Sequence, residues 1–448
     1  MVQKRAILGV VLLLAAALAV RVGLVLALHQ GGAKPFSYEH GEIARNLVQG
    51  RGFTVTYLGH EGPTSQQAPL YPLLLAGLYR VWGVESPAAL LAMQLLQCLA
   101  GAGLALAVAW LGWSLLPLRP LVGWLAGWCA ALYPTHIYMV THIQVAVWAA
   151  LLLTLTAAVA ASNLRHRALL AGLLGGLLLL VEPILALALP ILAWSMFPRA
   201  DPRPDSTDGR GFYRGWLMAL RGPALFAAVS ALVVAPWLWR NARVHGEFVF
   251  VKSSFGYALW QGNNAQSWGT DKIPKPAAAT LLADHDGSLR GVNAALWNAR
   301  HETIYIDDLL LVPGGYREFA GLSEPARSRL LGQQAKRFIR ENPGDYARLC
   351  AQRLRYFLTW DETNPKAAHP LYRAATLAWL CLSLIGLCLA GRHWRALWPG
   401  VGIFCAVALF HTLTIVSARF RIPVEPLTFV WMGIALAARS RTAPAVPA

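Results

Sequence analysis

Residues 87–115 read PAALLAMQLLQCLAGAGLALAVAWLGWSL, a stretch without one Asp, Glu, Lys or Arg. As a helix rising 1.5 Å per residue it is longer than the ~30 Å hydrocarbon core of a bilayer is thick. In lipid such a helix satisfies every backbone group internally, which is why it can cross. The same reading extends in both directions. Apolar runs cover 6–28, 119–134, 143–162, 167–182, 184–198, 223–239, 371–390, 397–416 and 425–438. Some fall short of the ~20 residues that a span normally needs. The 167–198 region also reads as one broken hairpin around Glu182-Pro183. The expected fold class is therefore an all-α polytopic membrane protein with about ten transmembrane helices, nine to eleven being the range.

Composition supports this. The 448 residues are 56% hydrophobic and 14% charged, against about 25% charged in soluble domains. The mean hydropathy is +0.46. These values exclude a soluble enzyme, a disordered chain and a disulfide scaffold. The net charge of +17 does not call for nucleic acid, because most of the Lys and Arg sits in short loops between apolar runs, as membrane topology requires. Cys98, Cys129, Cys381, Cys388 and Cys405 lie inside apolar runs, and Cys350 stands alone in a polar segment. No His, Cys, Asp or Glu cluster has metal-ligand spacing and no Gly-rich nucleotide loop is present, so neither a metal nor another cofactor is expected.

Lys4 and Arg5 ahead of Ile7–Val20 resemble a signal peptide, but the apolar stretch continues past Arg21, which favours an uncleaved first span. With the N-terminus inside, the inner loops carry Arg119, Arg165, Arg167, Arg199, Arg203, Arg210, Arg214, Arg221, Arg392 and Arg395, and the tail adds Arg439 and Arg441. That bias obeys the positive-inside rule. It divides the chain into an N-terminal membrane core, 1–240, an extracytoplasmic region, 241–370, and C-terminal membrane helices, 371–448. The first outer segment, 29–86, is the expected catalytic segment. Residues 324–357 have helical apolar spacing interrupted at Asn342-Pro343, which reads as two amphipathic helices on the bilayer or as Arg side chains lining an anionic lipid site.

The outer segment holds the chemistry. Tyr38-Glu39-His40-Gly41-Glu42-Ile43-Ala44-Arg45-Asn46-Leu47-Val48-Gln49-Gly50 reads as a short amphipathic helix with Ile43 and Leu47 as its apolar stripe and Gly50 as its stop. Glu39 and Glu42, three apart, share a face. They suit deprotonation of an acceptor hydroxyl or binding of a cation, and equally a solvated face near a helix N-terminus. Pro69-Leu70-Tyr71-Pro72 precedes an apolar stretch too short to span, read as an interfacial helix.

Several motifs in this order resemble the GT-C glycosyltransferases, in particular bacterial relatives of the protein O-mannosyltransferase and aminoarabinose transferase families. They are the Glu42-Ile43-Ala44-Arg45-Asn46-Leu47 helix ending at Gly50-Arg51-Gly52-Phe53, then Ala68-Pro69-Leu70-Tyr71-Pro72, Ala235-Pro236-Trp237-Leu238-Trp239-Arg240-Asn241, Leu259-Trp260-Gln261-Gly262-Asn263-Asn264 and Arg419-Phe420-Arg421-Ile422-Pro423-Val424-Glu425-Pro426. The resemblance implies surface helices in the first outer loop and inverting transfer of a sugar from a polyprenyl-phosphate donor. It also implies an acidic base in that loop. The position of the aminoarabinose transferases' Asp falls near Phe36 and Ser37, so Glu39 is the expected base and Glu42 its assistant. Arg419, Arg421, Arg240 and Lys252 are the expected donor-phosphate cations, because a leaving phosphate needs positive charge. Tyr38, His40, Tyr71, His142, Asn241, Asn263 and Asn264 are expected to line the substrate cavity. Expected partners are the lipid-linked donor, a glycan, lipid or protein acceptor, and membrane lipids, at a bacterial inner membrane with the site facing outward. The alternatives are a secondary transporter, for which internal repeats and mid-span polar residues are not evident, and a non-catalytic lipid-binding membrane protein.

Overall fold

The computed structural model describes residues 2–29, 36–197, 209–274 and 277–439; Arg199, Arg203 and Arg441 lie outside the described residues. Along the chain, α1 (Val2–His29) leads to α2 (Tyr38–Val48), a hairpin of β1 (Thr54–Tyr57) and β2 (His60–Pro63), and α3 (Leu70–Trp82). Then come α4 (Pro87–Leu115), α5 (Pro120–Leu132), α6 (Pro134–Met139), α7 (Ala146–Ala161), α8 (Arg167–Leu179), α9 (Ala188–Ser195) and α10 (Gly209–His245). The long polar region folds as α11 (Phe255–Gly262), β3 (Lys272–Ile273), α12 (Ala277–Ala283), α13 (Leu289–His301), β4 (Ile304–Tyr305), α14 (Ile306–Leu310), α15 (Glu324–Glu341) and α16 (Pro343–Leu358). The chain closes with α17 (Pro370–Cys388), α18 (Trp394–Leu413) and α19 (Glu425–Arg439).

Each expected apolar run has its helix. Among the described residues five helices are long and apolar enough to cross a membrane, Lys4–His29, Pro87–Leu115, Met218–His245, Pro370–Cys388 and Gly391–Leu413. Five shorter apolar helices, Pro120–Leu132, Ala146–Ala161, Arg167–Leu179, Pro183–Ser195 and Glu425–Ala438, occupy the remaining runs. Glu182-Pro183 does break the 167–198 region: Pro183–Leu187 is a tight 3-10 turn between α8 and α9.

The buried core of the bundle is built on α4, whose Ala102, Ala105, Ala109 and Gly112 present a small-residue face. α5 lies against it through Gly123 and Gly127. A Cβ on Gly123 would sit 2.8 Å from the Ala109 carbonyl, and one on Gly127 2.9 Å from Ala109 Cβ. Such close approach replaces the hydrophobic drive that lipid cannot supply. Arg21 is fully buried in α1, and its guanidinium donates to the carbonyls of Ala17, Ala130 and Ala131 at 2.9–3.0 Å. It thereby caps the last carbonyls of α5, which α5 itself leaves unpaired.

The polar segments pack on one another at one end of the bundle. Ile43, Phe53, Val55, Tyr57 and Leu58 of the first outer loop share a hydrophobic cluster with Leu259, Trp260, Ile306, Phe319, Leu331 and Ala335 of the long one. Tyr57 pairs with His60, leaving the two-residue turn Leu58-Gly59, both at positive φ, which suits the twist of a hairpin. Glu324, at the start of α15, ties the two loops by accepting hydrogen bonds from Thr64 Oγ1, the Ser65 amide and Ser253 Oγ at 2.6–2.8 Å.

The expected surface pair, α15 and α16, is present. Two of its arginines are internal braces, however. Arg327 donates to the Leu322 and Tyr57 carbonyls. Arg353, fully buried, donates to the Gly262 and Thr414 carbonyls and Asn263 Oδ1. Neither guanidinium is free to line a lipid site.

Candidate active site

α2 begins at Tyr38, held at φ +50°, an uncommon backbone for a residue with a side chain. Its first turn is half-buried against α3 and the 64–66 strand of loop. Glu39 Oε1 is 3.5 Å from Gln66 Nε2, a long contact that leaves the carboxylate with little to hold it. His40 is buried edge-on to the Tyr71 ring, 4.9 Å between centroids, and Tyr71 donates to Gln97 Oε1 at 2.8 Å. Burial holds His40 down to about 3, with the charges of Lys252 and Arg419 acting in the same direction. The imidazole is therefore neutral, and both cations act on it.

Glu42 does not join Glu39. Its Oε1 accepts the Thr56 amide at 2.8 Å, so it staples α2 to the hairpin. The i, i+3 spacing brought the pair to one side of the helix, and the hairpin then captured one of them.

Lys252 is aimed by the backbone. Val251 sits at φ +40°, and the Lys252 amide donates to the Phe250 carbonyl across it, a tight turn strained for a β-branched residue. The Val251 carbonyl is gripped by Trp237 Nε1 at 3.0 Å and Asn241 Nδ2 at 3.2 Å. Asn241 also binds Val249, and its Oδ1 accepts from Ser65 and Arg240. Asn241 is therefore a strut behind the site and lines no cavity. Arg240 likewise departs from its expected role. It donates to the Thr64 and Phe53 carbonyls and lies over the Trp237 ring, which commits it to positioning the loop that carries Gln66. Lys252 Nζ itself lies 3.7 Å from Glu182 Oε1, both side chains one-fifth exposed; Glu182 is its counter-ion.

The two arginines of the 419–421 turn part company. Arg419 is exposed, donates to Gln144 Oε1 at 2.8 Å, and acts on His40 and Asp271. Arg421 is buried in an ion pair with Glu425 and donates to the Phe357 and Thr359 carbonyls. The expected extended turn is instead a run of tight turns, with the Phe420 amide on the Ser417 carbonyl and the Val424 and Glu425 amides on the Arg421 carbonyl, so residues two apart do not point alike. Arg421 is a core cation and does not meet Glu39.

Asn263 and Asn264 also serve the fold. Asn263 bridges the Leu259 and Thr414 carbonyls and accepts from Arg353, while Asn264 donates to the Trp260 and Gln261 carbonyls and accepts from the Gln266 amide. His142 is buried between Thr141 and Lys366 and stacks on Trp297 at 5.2 Å.

Residues of the long polar region that the sequence did not single out adjoin α2. Asp271 is ion-paired with Lys272. Burial pushes its carboxyl up, and Lys272, Arg419 and Arg300 overcome this, so it stays ionised. Arg300 Nε is 3.4 Å from Tyr38 Oη and its guanidinium faces the Tyr305 ring. Asp307 is raised by burial, with Asp308 and Asp271 adding to it and a Tyr257 hydrogen bond opposing it. These residues carry no local pattern, since Asp271 and Asp307 are brought together by the β3–β4 pairing of chain segments over thirty positions apart. A separate cavity of about 160 Å³ is lined by Ile273, Thr303, Glu362, Asn364 and Arg373. Among the described residues no cluster of three or more His, Cys, Asp or Glu could hold a metal.

No family model and no curated protein matches the chain. Solved structures do. The oligosaccharyltransferase AglB from Archaeoglobus fulgidus, in complex with an inhibitory peptide and a dolichol-phosphate, superposes with a TM-score of 0.52 at 15% identity, over 96% of this chain and 50% of that one. Its apo form gives 0.51 at 13% identity, over 95% and 50%. ArnT from Cupriavidus metallidurans bound to undecaprenyl phosphate gives 0.40 at 15% identity, over 96% and 78%. The chain spans about half the length of AglB. At these identities the AglB likeness concerns the fold alone, the expected GT-C fold.

Proposed function

We propose that this chain is an integral-membrane inverting glycosyltransferase that moves a sugar from a polyprenyl-phosphate donor to an acceptor hydroxyl. The observation that carries this reading is a weakly held carboxylate, Glu39, next in sequence to buried His40, on which the charges of Lys252 and Arg419 both act. A lipid-phosphate sugar is already activated. The bond from its anomeric carbon to the phosphate oxygen breaks, and its electron pair leaves on the phosphate, which Lys252 and Arg419 stabilise. A new bond forms from that carbon to the acceptor oxygen on the opposite face, and the acceptor's proton passes to Glu39. The fold likeness supports a lipid-phosphate ligand, since AglB was solved with a dolichol-phosphate. The basic loops at the far end of the bundle, including Arg119, Arg165 and Arg392, support an outward-facing site at the inner membrane.

The test is sugar transfer from radiolabelled undecaprenyl-phosphoryl hexoses by the purified full chain. Glu39→Gln should lose activity while keeping donor affinity. Full activity in that variant removes Glu39 as the base, and no transfer or donor binding by the native chain removes the reading.

A further inference from the structure

Beside Glu39 lies a group of side chains that the proton and phosphate chemistry does not use. The Tyr57 and Tyr257 rings meet edge to face at 5.5 Å, and Trp260 stacks on Tyr257 at 6.3 Å. The Tyr257 hydroxyl accepts from Gln261 Nε2 at 2.8 Å. Asp307 is hydrogen-bonded with Tyr257, and Glu324, Glu39 and Asp307 act on the Tyr57 hydroxyl. Tyr57 is 6% exposed, yet its hydroxyl has no hydrogen-bond partner among the described residues. Gln66 is also 6% exposed, and while its Nε2 faces Glu39, its Oε1 is unpartnered.

Buried polar atoms are normally satisfied, because each orphan costs about 1–3 kcal/mol. Orphans beside the Glu39 carboxylate mark atoms that a ligand is to meet. Their chemistry selects the ligand. Gln66 Oε1 and ionised carboxylates only accept, and the Tyr57 hydroxyl does either, so the site asks for several donors. The tyrosine rings and Trp260 offer an apolar wall. Alternating hydroxyl donors and an apolar C–H face belong to a pyranose ring.

We propose that Tyr57, Tyr257, Gln66 and Asp307 form the subsite that grips the hydroxyls of a sugar, the glycosyl group of the donor or that of an acceptor glycan. This rests on the glycosyltransferase reading, but its test is separable.

The test is binding to the full chain in detergent, for the native protein and Tyr57→Phe, with Asp307→Asn as a second variant. The probes are bare undecaprenyl phosphate, a panel of undecaprenyl-phosphoryl hexoses, and the corresponding free methyl hexosides. Tyr57→Phe keeps the ring packing and should leave the bare lipid's affinity unchanged. It should weaken the best-bound sugar lipid about tenfold, the loss of one buried hydrogen bond. A loss confined to the free glycoside instead assigns the subsite to the acceptor. Equal loss for every probe, or no loss for any, overturns the proposal. If Glu39→Gln retains full transfer while Tyr57→Phe loses sugar affinity, the base assignment fails and the subsite stands.

Discussion

Arg421 donates from Nε to Glu425 Oε1 at 2.5 Å, and His136 Nε2 lies 2.9 Å from the other oxygen of that carboxylate. All three side chains are at least 96% buried. Burial works against the Arg421 charge and the Glu425 carboxylate overrides it, holding the guanidinium above its ordinary range. Removing one partner of such a pair strands the other, at about 3–5 kcal/mol. Arg421→Ala should therefore lower the melting temperature in detergent sharply and reduce yield. A variant that melts like the native protein but binds donor poorly would return Arg421 to the phosphate site.

Arg419 is expected to behave in the opposite way. It is exposed and held by one neutral partner, Gln144. Arg419→Ala should leave melting within about 0.5 kcal/mol of native and weaken undecaprenyl phosphate binding about tenfold or more, the scale of one hydrogen bond to a charged group. Unchanged affinity, measured by titration calorimetry, removes it from the phosphate site.

Asn241 tests whether the turn at Val251 matters. It contacts the Val249 and Val251 carbonyls and is fully buried, at a distance from any substrate role. If it positions Lys252, Asn241→Ala should raise the donor KM as Lys252→Ala does, and the double variant should lose little more than either single one. Additive losses would mean that Asn241 supports only the fold, which costs about 1–3 kcal/mol of stability when its buried partners are stranded.

Acid should loosen the outer cap. Burial lowers His40 to about 3 and takes His142 well below its ordinary value. In the unfolded chain each titrates near 6.5. As pH falls below about 6.5 the unfolded state binds protons that the native state refuses, so stability declines towards the folded values. At pH 5 this amounts to about 2 kcal/mol for His40. Asp307 and Asp361, raised by burial, act in the opposite sense as pH falls. The readout is therefore a difference: His40→Gln should flatten the drop in melting temperature between pH 7 and pH 5. Parallel profiles for variant and native protein would contradict it.

Much of the architecture was legible because lipid imposes it. A run such as Pro87–Leu115 has no alternative to a helix, and every apolar run found in the sequence became one. The Glu39 helix was legible from its stripe and its glycine stop. The division of labour among cations was not. Arg240, Arg353, Arg419 and Arg421 are indistinguishable as residue types, and only their neighbours decide whether a guanidinium braces carbonyls, neutralises Glu425 or waits beside His40.

The sequence by itself determined which segments enter the bilayer and which chemistry gathers at one end, because hydropathy and charge are properties of local stretches. Tertiary structure decided which charged groups remain unspent. That depends on distance between segments such as 38–42, 250–252, 271 and 307, and on whether a backbone carbonyl or counter-ion reaches a side chain before a substrate can.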